Sequence, residues 1–286
     1  MTGPSLAYEV VDVFTSTPYA GNPLAVVLDA EGLSTGQLQA IAREFQLSET
    51  TFPGAAADGS TYSLRIFTPT VELPFAGHPS VGSAWVLHRL GRIEAGDNLQ
   101  SCGAGLLPVH VGRDVVTLTG GAPTVSEPVD PGPLLEALGL SADDLAGTPP
   151  RWAGVGIEWG FLMVRPEALA TARPDAPRIA ALGRTGVSLL SWDGSVARCR
   201  VFAGGAGVVE DPATGSAALG LGVHLAASGL LPDGASDYVV EQGYEMGRPS
   251  TLSCRVQVSE GRAVSATVSG SVVPVARGEI RVPPSA

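Results

Sequence analysis

Three polar side chains sit where they could do chemistry. Glu49 is a single acid among small hydroxylated and apolar neighbours, in Leu47-Ser48-Glu49-Thr50-Thr51-Phe52. An acid held in such a pocket has a raised pKa and can pass a proton back and forth. The plainer alternative is a surface glutamate at a helix end. His78 precedes an apolar run that reads as a helix, whose positive end disfavours an imidazolium. There it can polarise a substrate group or relay a proton, although a lone histidine is more often structural. Asp211 occupies a matching place later in the chain.

The match is an internal echo. His78-Pro79-Ser80-Val81-Gly82-Ser83-Ala84 lines up with Asp211-Pro212-Ala213-Thr214-Gly215-Ser216-Ala217. Upstream, Arg65-Ile66-Phe67 lines up with Arg200-Val201-Phe202 at nearly the same offset. Two matches in one order indicate duplication of about half the chain. Each junction is a loop running into a helix, and amides at a helix N-terminus suit a carboxylate or phosphate. Small residues let a ligand approach the backbone. Gly77 and Ser80 in the first loop, and Thr214, Gly215 and Ser216 in the second, are the candidate substrate-binding residues. Two such ends facing each other would make a cleft. The bland alternative is that Ser80 and Asp211 only cap helices.

Several elements must position these groups. Tyr8 to Phe14 and Leu24 to Leu28 read as paired strands across a turn-rich loop. Ser34 or Thr35 can cap a helix whose Leu38, Ile41, Ala42 and Phe45 share one face and which ends near Gln46. Tyr62 to Phe67 alternates like a strand. The helices expected from about Pro79 to Leu90 and from about Ala213 to Ala227 are apolar nearly all round, so both should be buried, each wrapped by a sheet. Residues 120–133 carry prolines and glycines and read as a linker. The expected domains are 1–122, with Glu49 and the His78 loop, and 129–286, with the Asp211 loop; the tail from Val272 could pack on either.

Bulk properties exclude several classes. The chain has 286 residues, 44% of them hydrophobic, enough for a core in each half. Net charge is −11, from 17 basic and 28 acidic residues, and no basic run could neutralise phosphates, which argues against nucleic acid or an anionic membrane. All basic residues are arginine. Without lysine there is no pyridoxal phosphate Schiff base and no P-loop of the GxxxxGK[ST] type. Cys102, Cys199 and Cys254 are scattered and form neither a disulfide framework nor a CxxC zinc pattern. There is no HExxH and no GxSxG. No signal peptide or membrane span is read, so the expected compartment is the cytoplasm.

These residues resemble the PhzF-like isomerase family over nearly the whole chain. The likeness rests on Asp12-Val13-Phe14, Gly21-Asn22-Pro23, Leu47-Ser48-Glu49-Thr50 and Phe67-Thr68-Pro69. It continues in Glu72-Leu73-Pro74-Phe75-Ala76-Gly77-His78-Pro79, Glu210-Asp211-Pro212-Ala213-Thr214-Gly215-Ser216, Gln242-Gly243 and Gly247-Arg248-Pro249-Ser250. The resemblance implies an α+β, diaminopimelate-epimerase-like fold: two pseudo-symmetric halves, each a curled β-sheet around a central helix, with the site between them. It implies a homodimer that uses no metal or organic cofactor. It makes Glu49 the acid/base and puts His78 and Asp211 in the site, with Gly77, Gly215 and Ser216 in substrate-binding loops. Racemases of the wider superfamily hold one cysteine at each junction; here His78 and Asp211 stand there, which disfavours a two-thiol racemase.

The chemistry expected is isomerisation of a small unsaturated, carboxylated, amino-acid-derived metabolite. Glu49 removes a proton from one carbon and it returns at another, so a double bond migrates. The resemblance points to secondary metabolism, and the arginine-only, alanine- and glycine-rich composition points to a GC-rich genome and antibiotic biosynthesis. Two alternatives stand beside it: epimerisation at one carbon by Glu49 with Asp211, and a catalytically silent ligand-binding protein that kept the fold.

Overall fold

The structure, a computed structural model, describes residues 4–57 and 59–284. It divides into two compact units, Met1–Leu118 with Ser269–Ala286, and Thr119–Val268.

In the first unit, Ser5–Val13 pairs antiparallel with Asn22–Val27, from Tyr8 opposite Val27 to Val13 opposite Asn22. Asn22–Val27 runs parallel to Glu49–Gly54, with Leu24 opposite Glu49. Glu49–Gly54 pairs antiparallel with Tyr62–Phe67, which then pairs with Glu72–Leu73 and, in parallel, with Gly96–Cys102. A parallel pair needs a crossover, and helix Thr35–Phe45 supplies it between Asn22–Val27 and Glu49–Gly54. That helix starts in a capping box: Ser34 accepts from the Gln37 backbone and Gln37 reaches back to Ser34. Its buried face, Leu38, Ile41 and Ala42, packs with Val27, Phe52 and Phe67. The tail strand Val272–Arg281 pairs antiparallel with Ser5–Val13, so it belongs to this unit.

The second unit repeats this order. Arg151–Gly154 and Glu158–Met163 are antiparallel, Glu158–Met163 and Val187–Trp192 are parallel, and Val187–Trp192 and Val196–Ala203 are antiparallel. Val196–Ala203 then pairs with Val208–Asp211 and, in parallel, with Gly234–Gln242. The duplication seen in a few residues is thus a duplication of strand connectivity.

Each unit is built on one buried helix. Gly77–Arg89 packs on the strands of the first unit and Gly215–Ala227 on those of the second. Their near-total burial follows from sequences without a polar face. Glycine lets the first helix sit close: a Cβ on Gly82 would lie 2.6 Å from Leu24 Cδ2 and 2.8 Å from Val13 Cγ2. Among the described residues, no helix is long and apolar enough to cross a membrane.

The echoed arginines do the same work in both units. Arg65 donates from Nε and Nη2 to Glu72 at 2.8 and 2.7 Å, and its guanidinium lies 5.1 Å from the Phe67 ring centroid. Arg200 donates from Nε and Nη2 to Glu210, both at 2.8 Å, and lies 5.0 Å from the Phe202 centroid. Each bidentate pair clips the chain shortly before a central helix begins.

The boundary differs from the expected division into 1–122 and 129–286. It falls between Leu118 and Thr119, and residues 120–133 are not a linker. Gly120 N–H donates to Ala266 O at 3.0 Å, Gly121 N–H donates to Val155 O at 3.2 Å, and Thr124–Val125 pairs with Arg151–Gly154. The glycines there serve close packing, since a Cβ on Gly120 would lie 2.4 Å from Val155 Cγ2.

Candidate active site

Glu49 owes its place to two local events. Helix Thr35–Phe45 stops at Gln46, which takes the left-handed conformation with φ 53°. Strand Glu49–Gly54 then begins, putting Glu49 at its first residue beside Leu24. His78 comes from the first turn of helix Gly77–Arg89. Pro79 follows it without cost, because first-turn amides have no partner within the helix. The helix and the Glu49 strand are tied together by Thr51 Oγ1 and Ser83 Oγ, 2.9 Å apart and buried.

This brings Glu49 and His78 together. Glu49 Oε2 lies 3.3 Å from His78 Nε2, and the side chains are 13% and 4% exposed. The pair lies within ion-pair distance but short of hydrogen-bond geometry, and His78 Nε2 has no hydrogen-bond partner among the described residues, a looseness common in catalytic pairs before substrate binds. On the other edge of the ring, Asn22 Nδ2 lies 3.2 Å from His78 Nδ1. Burial pushes the His78 pKa down to about 3, so the ring is neutral near pH 7.

Ser80 and Gly77 lie in the same first turn of the helix. The Ser80 hydroxyl donates to Ala76 O at 3.0 Å and accepts from Gln100 Nε2 at 2.9 Å; Gln100 Oε1 in turn accepts from Tyr62 OH at 3.0 Å. Ser80 is wholly buried, so the geometry makes it a brace for the start of the helix. Alanine occupies the N-cap position, and no side chain caps the helix from there.

Asp211, Thr214, Gly215 and Ser216 gather in the second unit. Asp211 ends strand Val208–Asp211 and is 7% exposed. Its Oδ2 accepts from Thr214 Oγ1 at 2.5 Å. Gln242 ties the loop: Nε2 donates to Asp211 O at 2.7 Å and to Thr214 Oγ1 at 3.0 Å, while Oε1 accepts from Thr214 N–H at 3.2 Å. Only glycine fits at 243, with φ +79° and a Cβ position 2.3 Å from Arg248 O. Ser216 Oγ accepts from Trp159 Nε1 at 3.1 Å. Thr214 holds the N-cap position of helix Gly215–Ala227 without a side-chain cap bond.

Sequence reasoning missed Asn22, Gln100, Gln242 and Trp159 as members of these clusters. Asn22 and Gln242 stood inside quoted motifs. Their signal was a polar residue among strand residues that must be buried, where an amide needs partners.

The neutral histidines make stability depend on pH. Burial also depresses His224, to about 4, with the Arg151 charge adding to it. Both folded-state values lie below the unfolded value of about 6.5, so the unfolded chain binds more protons as pH falls below about 6.5. The stability is present above that pH and is lost on acidification towards 3–4. Urea unfolding at pH 7 and at pH 4 should differ by on the order of 2–3 kcal/mol per histidine. His224→Gln should remove its share of the slope; an unchanged slope would refute a neutral buried His224.

Residues 11–278 match the PhzC-PhzF family, described as "Phenazine biosynthesis-like protein". The chain is 36% identical over 292 residues to the trans-2,3-dihydro-3-hydroxyanthranilate isomerase of Pseudomonas chlororaphis, covering 96% of this chain and 98% of the relative. Among solved structures, a predicted epimerase of Pseudomonas aeruginosa is 35% identical with a TM-score of 0.82, over 96% of this chain and 99% of that one. A PhzF-family protein of Bacillus anthracis shares the fold, with a TM-score of 0.87 at 24% identity over 97% of this chain and 99% of that one. A family match from near one end of the chain to the other, with a relative named as an isomerase at 36% identity, leads to one conclusion: the chain belongs to the phenazine biosynthesis-like PhzC-PhzF family and is a PhzF-like isomerase.

Proposed function

We propose that this isomerase acts on trans-2,3-dihydro-3-hydroxyanthranilate or a closely similar cyclic amino acid, with Glu49 as the proton carrier. The observation that carries this is the half-buried carboxylate held 3.3 Å from a neutral imidazole. The relative's substrate is, by its name, a ring bearing a carboxylate, an amine and a hydroxyl, with two double bonds left. The C–H at the hydroxyl-bearing carbon is conjugated through those double bonds to the carboxylate. Its removal gives a delocalised anion, and the proton can return at a distant ring carbon. The double bonds move, and no electron leaves the molecule.

In this reading one oxygen of Glu49 takes the proton while His78 Nε2–H steadies the other. Asp211, oriented by Thr214 and Gln242, binds the substrate amine or hydroxyl. First-turn amides near Gly77 and Gly215 hold the carboxylate and the charge that develops on it. The proposal extends to secondary metabolism, in line with the family's description, and to a cytoplasmic homodimer. Free Cys102, Cys199 and Cys254 suit a reducing compartment, and light scattering of the purified chain tests the dimer.

Purified protein mixed with trans-2,3-dihydro-3-hydroxyanthranilate should shift the substrate's ultraviolet band as conjugation changes. An unchanged spectrum at high enzyme concentration would remove this substrate from the proposal. Epimerisation at a single carbon is the second reading, favoured by the predicted epimerase at 35% identity. It would leave the band in place.

A further inference from the structure

The geometry points to Asn22 as a positioning residue that fixes the tautomer of His78, so that the one ring proton sits on Nε2, the nitrogen nearest Glu49.

The two neighbours of the ring agree on one tautomer. Asn22 Nδ2, 3.2 Å from His78 Nδ1, is an amide nitrogen and can only donate, so Nδ1 must accept. The one ring proton then sits on Nε2, which faces Glu49 Oε2 at 3.3 Å. Turning the Asn22 amide over would put its oxygen against Nδ1 and force the proton there. A bare Nε2 lone pair would then face a carboxylate, which is repulsive. An ionised Glu49 and the amide of Asn22 therefore select the same state.

Asn22 is built to be stationary. It is wholly buried at the first position of strand Asn22–Val27, with its backbone in register opposite Val13. Gly21 before it has φ +65°, and a Cβ there would lie 2.3 Å from Val13 O, so the approach to Asn22 requires glycine. Glu49, His78 and Asn22 thus come from two adjacent strands and the central helix, all in one unit. The order is base, imidazole, orienting group, as in nucleophile–histidine–orienter triads. An amide in the third place has a specific consequence. A carboxylate would stabilise an imidazolium, whereas an amide holds the ring neutral and stops His78 from taking the proton itself. Proton traffic is left to Glu49.

The test reads the tautomer directly. In ¹⁵N-histidine-labelled protein without substrate, two-bond proton–nitrogen spectra should give His78 as the Nε2–H form throughout pH 5 to 8, assigned by loss of its signals in His78→Asn. Asn22→Asp, which keeps the shape, should move the proton to Nδ1 or charge the ring. Asn22→Leu should remove the lock and yield mixed tautomers. Both variants should lose kcat by about 10–100-fold, as when outer partners of ligand histidines are removed, with KM within about threefold. A wild-type Nδ1–H tautomer overturns the inference. So does an Asn22→Asp protein whose tautomer, pH profile and kcat match wild type, and so does an unchanged kcat in Asn22→Leu after the lock is lost. The kinetic arm rests on the reading of Glu49 as proton carrier. The spectroscopic arm needs no substrate, so a failure of that reading is distinguishable.

Discussion

Glu49→Gln should lower kcat for isomerisation by roughly 10³-fold, the middle of the range for a positioned acid/base. The substitution keeps size and an oxygen acceptor for His78 Nε2–H, 3.3 Å away in the native pair. It removes only the ability to hold a proton at neutral pH. Substrate binding should therefore change little, and KM should stay within a few-fold. Ultraviolet-monitored turnover and a thermal unfolding curve decide the matter together. A fully folded variant with kcat within tenfold of wild type would show that another group moves the proton.

Arg200→Ala should destabilise the protein by roughly 3–5 kcal/mol, as expected when one partner of a buried pair is removed. Arg200 and Glu210 side chains are only 9% and 15% exposed. Besides its two bonds to Glu210, Arg200 donates from Nη1 to Leu169 O at 2.8 Å and to Ala172 O at 3.3 Å. Alanine leaves a half-buried carboxylate and two carbonyls without that donor, next to Asp211. The equivalent Arg65→Ala should cost no more than about 1 kcal/mol, because solvent screens an exposed pair. Arg65 and Glu72 are 39% and 37% exposed. Urea midpoints of the two variants measure the difference; equal losses would contradict the argument from burial.

Much of this fold could be read from residue spacing. The Ser34–Gln37 capping box and the stripe of Leu38, Ile41 and Ala42 announce the crossover helix. The paired echoes announce the repeated connectivity. Helix starts were less legible. The first begins at Gly77 and not near Pro79, since a His-Pro pair reads as loop although proline is harmless in a first turn. The second begins at Gly215 and not near Ala213, because Thr214 is extended, with φ −111°.

Long-range placement was the part that spacing could not supply. Strands Gly96–Cys102 and Gly234–Gln242 carry too many polar residues for a simple alternating pattern, and both pair in parallel with distant partners. The tail from Val272 joins the first unit only because its edge matches Ser5–Val13. Glu49 and His78 were separately visible as chemistry-bearing residues. Their contact depends on how closely a helix approaches two strands, which Gly82 governs. Asn22 was hidden for another reason: between Gly21 and Pro23 it reads as turn chemistry.

The central claim is that a proton leaves one carbon and returns to another. Turnover of trans-2,3-dihydro-3-hydroxyanthranilate in deuterated water, with the product examined by NMR, tests it most directly. The predicted result is a new hydrogen, carried protium or solvent deuterium, at a ring carbon that bore none in the substrate, with the double bonds shifted. Deuterium at the original carbon alone, with the unsaturation unchanged, would contradict the account and make the protein a single-centre epimerase.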